Sequence, residues 1–172
     1  MSDAIKAVFP SDPKFLECVH SLAEQVASLI GFDGRRRYNL ILAVSEGFTN
    51  AYLHGNQRHC DRSITVLFEF SEDFLRVSIQ DEGILPIDNK VEIHRSLTMS
   101  EAISGRGLPL IARFADRVAL RYDPEVGNTL TMTVNISGDS GSNDKIHKVE
   151  VADGNHIGDN GRVHDPSTEG KT

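Results

Sequence analysis

The chain has 172 residues, 39% of them hydrophobic, and a formal net charge of −7, which suits one domain with a real core and room for a tail. The acidic balance excludes nucleic acid as the main direct partner, because phosphate contacts need clustered Lys and Arg. The one basic run, Arg35-Arg36-Arg37, reads as a solvated helix start.

Residues 4 to 9 are short and apolar-rich, a first strand. Asp12-Pro13 then reads as a helix start, with Asp as N-cap and Pro at the first helical position. Phe15, Val19, Leu22, Val26 and Leu29 follow at helical spacing as a core stripe, and Cys18 within that pattern is expected in the core. Gly31 and Gly34 bracket a break. A second helix is predicted over roughly 35 to 53, with Leu40, Val44, Gly47, Phe48 and Ala51 facing inward and Gly55 as its stop. The period then changes to two. Ile64, Val66, Phe68 and Phe70, then Leu75, Val77 and Ile79 after a turn at 71–73, predict two antiparallel strands with one buried face. Residues 84 to 104 read as a long loop with a short helix, of the kind that often serves as a lid. Pro109 places the start of a third helix, about Leu108 to Ala115, at the preceding glycines. Val118, Leu120 and Tyr122, then Leu130, Met132, Val134 and Ile136, predict two last strands.

The composition changes at Gly138. Residues 138 to 172 hold six of the fourteen glycines, no aromatic residue and a net charge of −3. Such a segment buries too little apolar surface to offset its ordering entropy, so 1–137 is expected to be the domain and 138–172 a disordered tail. Its three histidines are too widely spaced to suggest a metal site. No segment reaches the roughly 18 apolar residues of a membrane span. Met1-Ser2-Asp3-Ala4 lacks the features of a secretion signal. Cys18 and Cys60 make no CxxC pair. A reduced, cytoplasmic setting without membrane contact is the expectation.

Three short segments carry chemistry. Glu46 and Asn50 are four apart on the second helix and therefore share a face. A carboxylate can accept a proton, and an Asn carbonyl oxygen can ligate a hard cation such as Mg²⁺. Asp81 ends a strand and suits the amino group of an adenine, while Gly83 lets the backbone pass close to the ring. Gly105-Arg106-Gly107 precedes a helix start, where N–H groups and the helix dipole favour phosphate, with Arg106 adding charge. Each piece alone is an ordinary turn, loop or solvated pair. Their conjunction, in this order, is what points to a nucleoside triphosphate.

Ser45-Glu46-x-x-x-Asn50-Ala51-x-x-His54-Gly55-Asn56, Asp81-x-Gly83 and Gly105-x-Gly107-Leu108 resemble the N, G1 and G2 boxes of the GHKL ATPase/kinase superfamily. Within it, the His-Gly-Asn ending and the short chain resemble the bacterial anti-sigma factor serine/threonine kinases, over about residues 5 to 136. The resemblance implies an α+β fold: a Bergerat-type two-layer α/β sandwich, its mixed, mostly antiparallel sheet covered by helices on one face. It implies ATP and Mg²⁺ as cofactors. By position, Glu46 corresponds to the catalytic base and Asn50 to the metal ligand. Asp81, Gly83, His54 and Thr129 correspond to nucleotide-binding positions, with Thr129 helping Asp81 to hold the adenine. Gly105, Arg106, Gly107 and Leu108 correspond to the phosphate loop.

The implied partners are a sigma factor and a STAS-type anti-anti-sigma protein, the latter phosphorylated, and the family pattern leaves room for a homodimer. Two alternatives differ in class: a GHKL ATPase in which Glu46 activates water, and a non-catalytic ATP-binding regulatory module. A histidine kinase catalytic domain fits less well, since no dimerisation helix pair precedes the domain.

Overall fold

The computed structural model describes residues 3–84, 91–94 and 108–136, with the backbone alone for 91–94 and 108–109. They build a six-stranded sheet in the order β1-β2-β3-β6-β5-β4. The strands are β1 (Asp3–Pro10), β2 (Ser63–Phe70), β3 (Phe74–Asp81), β4 (Val91–His94), β5 (Arg117–Asp123) and β6 (Gly127–Asn135). The helices are α1 (Leu16–Leu29), α2 (Gly34–Asn50) and α3 (Leu108–Phe114). The expected α+β sandwich is present, and each of the five strand pairings is antiparallel.

The two layers follow from two periods. In β2, β3 and β6 every second side chain is buried: Ile64, Val66 and Phe68; Leu75, Val77 and Ile79; Leu130, Met132 and Val134. One sheet face is therefore apolar, and α1 and α2 contribute to the same core through Val19, Ala23, Val26, Leu40, Val44 and Phe48. A fully buried side chain of this size contributes about 1.5–3 kcal/mol. The α2 helix lies tightly on the sheet at Gly47, where a Cβ would overlap the Ile79 side chain and sit 3.3 Å from Leu130.

Asp12 caps the chain as its sequence suggests, but the Pro13–Phe15 turn it caps is a 3₁₀ turn that runs into α1. Asp33 caps α2 through the Arg36 amide at 2.8 Å. Several expectations need correction. Cys18 is exposed, because the buried stripe of α1 runs through Val19, Ala23, Val26 and Ala27 and Cys18 lies outside it. Leu29, at the last position of α1, is also exposed. Arg36 is more than a solvated charge: it stacks 4.3 Å over the Phe32 ring and donates to the Asn135 carbonyl at 2.8 Å. Strand β4 lies inside the segment expected to be a loop; four residues are too few for the period-two signal to stand out.

The boundary between domain and tail at 137/138, and the tail itself, lie outside the described residues. A compact unit extends over Met1–Asp139.

Candidate functional site

The site is built where α2, β3 and β6 end or begin together. After Asn50 the helix widens into a π-helical turn, Ala51–Gly55, which delivers Gly55 and Asn56 as buried residues and His54 as an exposed one. Such single-turn widenings re-aim the backbone at the end of a helix. Gly55 lies against Asp81, the last residue of β3. A Cβ at Gly55 would overlap the Asp81 carboxylate, and one at Gly83 would overlap the Gly55 carbonyl oxygen. Gly127, the first residue of β6, has φ +107, and its Cβ would overlap the Asp81 backbone. Three chain segments thus pack around Asp81 with no room for side chains of their own.

Asp81 is in phase with Leu75, Val77 and Ile79, so it points to the buried face, and it is 3% exposed. Its Oδ1 accepts three hydrogen bonds: from the Gly83 amide at 2.8 Å, the Asn128 amide at 3.2 Å and Asn128 Nδ2 at 3.0 Å. Among the described residues no donor reaches Oδ2. Burial pushes the Asp81 carboxyl above its ordinary value. The bonds from the Asn128 side chain and the Gly83 and Asn128 amides, with the charge of Arg62, pull it back only in part. The result is a buried acceptor at a glycine-lined spot, with one oxygen saturated and the other without a donor among the described residues.

Thr129 does not join this corner. It pairs with Gln80 in the ladder, one residue out of phase with Asp81 and Asn128, and so projects from the opposite sheet face. On that face Ser78 Oγ and Thr131 Oγ1 lie 3.3 Å apart. The residue that meets Asp81 is Asn128. Its signal was present in the chain: a polar residue in the same period-two phase as Leu130, Met132 and Val134.

Glu46 and Asn50 lie one turn apart on α2, both half-buried. Glu46 accepts no hydrogen bond from the described residues. Leu108 opens α3, while Gly105, Arg106 and Gly107 lie outside the described residues. Among the described residues no group of three or more His, Cys, Asp or Glu gathers to hold a metal. A Mg²⁺ ion that keeps waters and phosphate oxygens needs only one or two protein oxygens, which a side chain such as Asn50 can supply.

The histidine kinase-like ATPase domain family matches residues 9–134, a span that holds the whole corner and α2. The chain belongs to this family. Within the GHKL superfamily it falls in the anti-sigma kinase branch. It is 30% identical to the serine-protein kinase RsbW of Listeria innocua serovar 6a over 142 residues, 78% of this chain and 90% of that protein. Identity to the serine-protein kinase RsbW of Bacillus subtilis is 28% over 153 residues, 86% of this chain and 94% of that protein. The anti-sigma F factor of Bacillus velezensis is 30% identical over 96 residues, 55% of this chain and 66% of that protein. Among the described residues no helix is long and apolar enough to cross a membrane.

Proposed function

We propose that the protein is an ATP-dependent serine/threonine-protein kinase that acts as an anti-sigma factor and phosphorylates a STAS-type anti-anti-sigma protein. The observation that carries the nucleotide half is the Asp81 corner. A carboxylate held by three N–H groups on Oδ1, with no donor at Oδ2 among the described residues, serves a ligand with a donor at that point. The 6-amino group of adenine is such a donor, and Gly55 and Gly83 let the backbone close around the carboxylate that would receive it. The partner half is supported by the relatives, named serine-protein kinase and anti-sigma F factor.

Mg·ATP, when bound, supplies an electrophilic phosphorus and a leaving group. Asp81 would orient the base, and Asn50 would hold the metal through its carbonyl oxygen. Gly105, Arg106, Gly107 and Leu108 would offer backbone N–H groups and one positive charge to the phosphates. Glu46, one turn before Asn50, takes the proton from a partner's serine or threonine hydroxyl. No described residue donates to Glu46, which leaves its oxygens ready to accept that proton. His54 is exposed on the π turn, next to Gly55 in sequence. In this reading a phosphorylated antagonist loses its grip, and the protein is free to hold the sigma factor.

Calorimetry with Mg·ATP, followed by transfer of radiolabelled phosphate to STAS-type proteins of the same genome, tests both halves. ATP binding and labelling of a serine or threonine are expected. Binding without labelling of any of them would favour the regulatory-module alternative. Release of phosphate to water alone would favour the ATPase.

A further inference from the structure

A closed ring of hydrogen bonds ties three segments together beside the Asp81 corner. Asn56 is fully buried. Its Nδ2 donates to the Ser63 carbonyl at 2.8 Å, and its Oδ1 accepts from the Glu82 amide at 2.8 Å. Ser63 closes the ring: its amide donates to Glu82 Oε2 at 2.9 Å and its hydroxyl to Glu82 Oε1 at 2.5 Å. The ring is anchored to the helix end by the Asn56 amide, which donates to the Ala51 carbonyl at 2.7 Å. Arg62 Nη1 donates to the Asn56 carbonyl at 3.4 Å.

The position of this ring is informative. The β2–β3 ladder ends at the pair Ile64 and Asp81. Ser63 and Glu82 lie one step beyond it, where the backbone ladder has stopped and side chains take over. Asn56 follows Gly55, and Glu82 follows Asp81. The ring therefore sets the distance between Gly55 and Asp81 at a contact too tight for a methyl group. The sheet does not need it, since β2 is already paired to β1 as far as Ser63 and to β3 as far as Ile64.

We propose that Asn56, Ser63 and Glu82 form a positioning clamp that fixes how the Asp81 carboxylate meets a purine base, and thereby sets selectivity for a 6-amino purine over a 6-oxo purine. The inference rests on the reading of Asp81 as the base acceptor. A carboxylate oxygen accepts a hydrogen bond from an amino group and faces an oxo group as one acceptor faces another. Both effects depend steeply on distance and angle. Releasing the turn at Glu82 lets the carboxylate drift. ATP then loses a bond, whereas inosine triphosphate has no amino group with which to lose it.

The experiment measures binding of Mg·ATP and Mg·ITP to the full chain by calorimetry, in the wild type and in Asn56→Ala, Ser63→Ala and Glu82→Ala. Each variant is expected to bind ATP more weakly, with Asn56→Ala falling about tenfold, one tenfold step being worth about 1.4 kcal/mol, and ITP affinity staying within about twofold. The ATP-to-ITP preference should shrink in the same order as the number of clamp bonds removed. If Asn56→Ala fails to fold, Ser63→Ala and Glu82→Ala decide the matter, because Glu82 is exposed and Ser63 lies at a strand end. A preference retained in all variants, or equal losses of ATP and ITP, would reduce the clamp to a structural brace and overturn the proposal. A wild type that binds ATP and ITP alike would instead overturn the Asp81 reading, and the clamp's role with it.

Discussion

The Asp81 corner and the Glu46–Asn50 face of α2 are both polar, but they are built on opposite principles. Asp81 is buried, saturated at Oδ1 and surrounded by glycines from three segments. Glu46 is half-buried on a helix and takes no hydrogen bond from the described residues. A group that recognises must be held still before the ligand arrives, because looseness costs affinity and selectivity. A group that moves a proton must keep its oxygens available to the proton it takes. The same side-chain chemistry, a carboxylate, serves either end according to what surrounds it.

The sharpest way to break this contrast is Glu46→Gln, which keeps shape and hydrogen bonding but removes the proton acceptor. Transfer of labelled phosphate to a cognate partner should fall about 10²- to 10⁴-fold, the usual contribution of a general base, while ATP affinity is retained. Undiminished transfer would remove Glu46 from the base role.

Asp81→Asn should do the reverse. Losing a charge-assisted bond to the ligand costs about 1.5–3 kcal/mol, so ATP affinity should fall about tenfold or more. Stability should move the other way. Burial raises the Asp81 carboxyl above its ordinary value, so the native state binds more protons than the unfolded state between those two values. Wild-type stability from this group is therefore complete below the ordinary carboxylate value and is lost as pH rises through the raised one. Asn carries no such charge and can still accept at Oδ1. The melting temperature of the variant relative to wild type should climb as pH is raised from acid toward neutral. A variant that falls further behind with rising pH would show that the ionised carboxylate stabilises the fold.

Gly55→Ala tests the packing of the corner without touching its chemistry. Its methyl group would meet the Asp81 carboxylate. Overpacking of this kind costs about 1–3 kcal/mol, visible as a lower denaturant midpoint together with weaker ATP binding. At Gly34, where an added Cβ meets nothing within 4 Å, the same change should be neutral or slightly stabilising. Equal effects at the two positions would mean that Gly55 is not a close-contact residue. The smallest effect is expected at Thr129→Val. Thr129 lies on the sheet face opposite Asp81, so ATP affinity should stay within about twofold, less than half a kcal/mol. A tenfold loss would return Thr129 to the nucleotide site.

The chain by itself determined most of the elements and the phase of their faces. Apolar side chains at helical spacing announced the buried stripe of α2, and strict alternation announced β2, β3 and β6. Both signals are local consequences of backbone periodicity. The motif order was equally legible, down to Glu46 and Asn50 on one helix face. The four-residue β4 was not, because it is held by pairing to β5 rather than by its own pattern. Nor was the exposure of Cys18, which neighbours Val19 in sequence but lies outside the buried stripe of Val19, Ala23, Val26 and Ala27. The Asp81 corner belongs to tertiary structure entirely. Gly55, Asp81 and Asn128 come from three segments far apart in sequence. That Asn128 rather than Thr129 meets Asp81 depends on strand register, in which a shift of one residue turns every side chain to the other face. The ring through Asn56, Ser63 and Glu82 exists only because the end of α2 folds back onto the ends of β2 and β3. Residue identity supplied the donors and acceptors; register and close packing decided which of them meet.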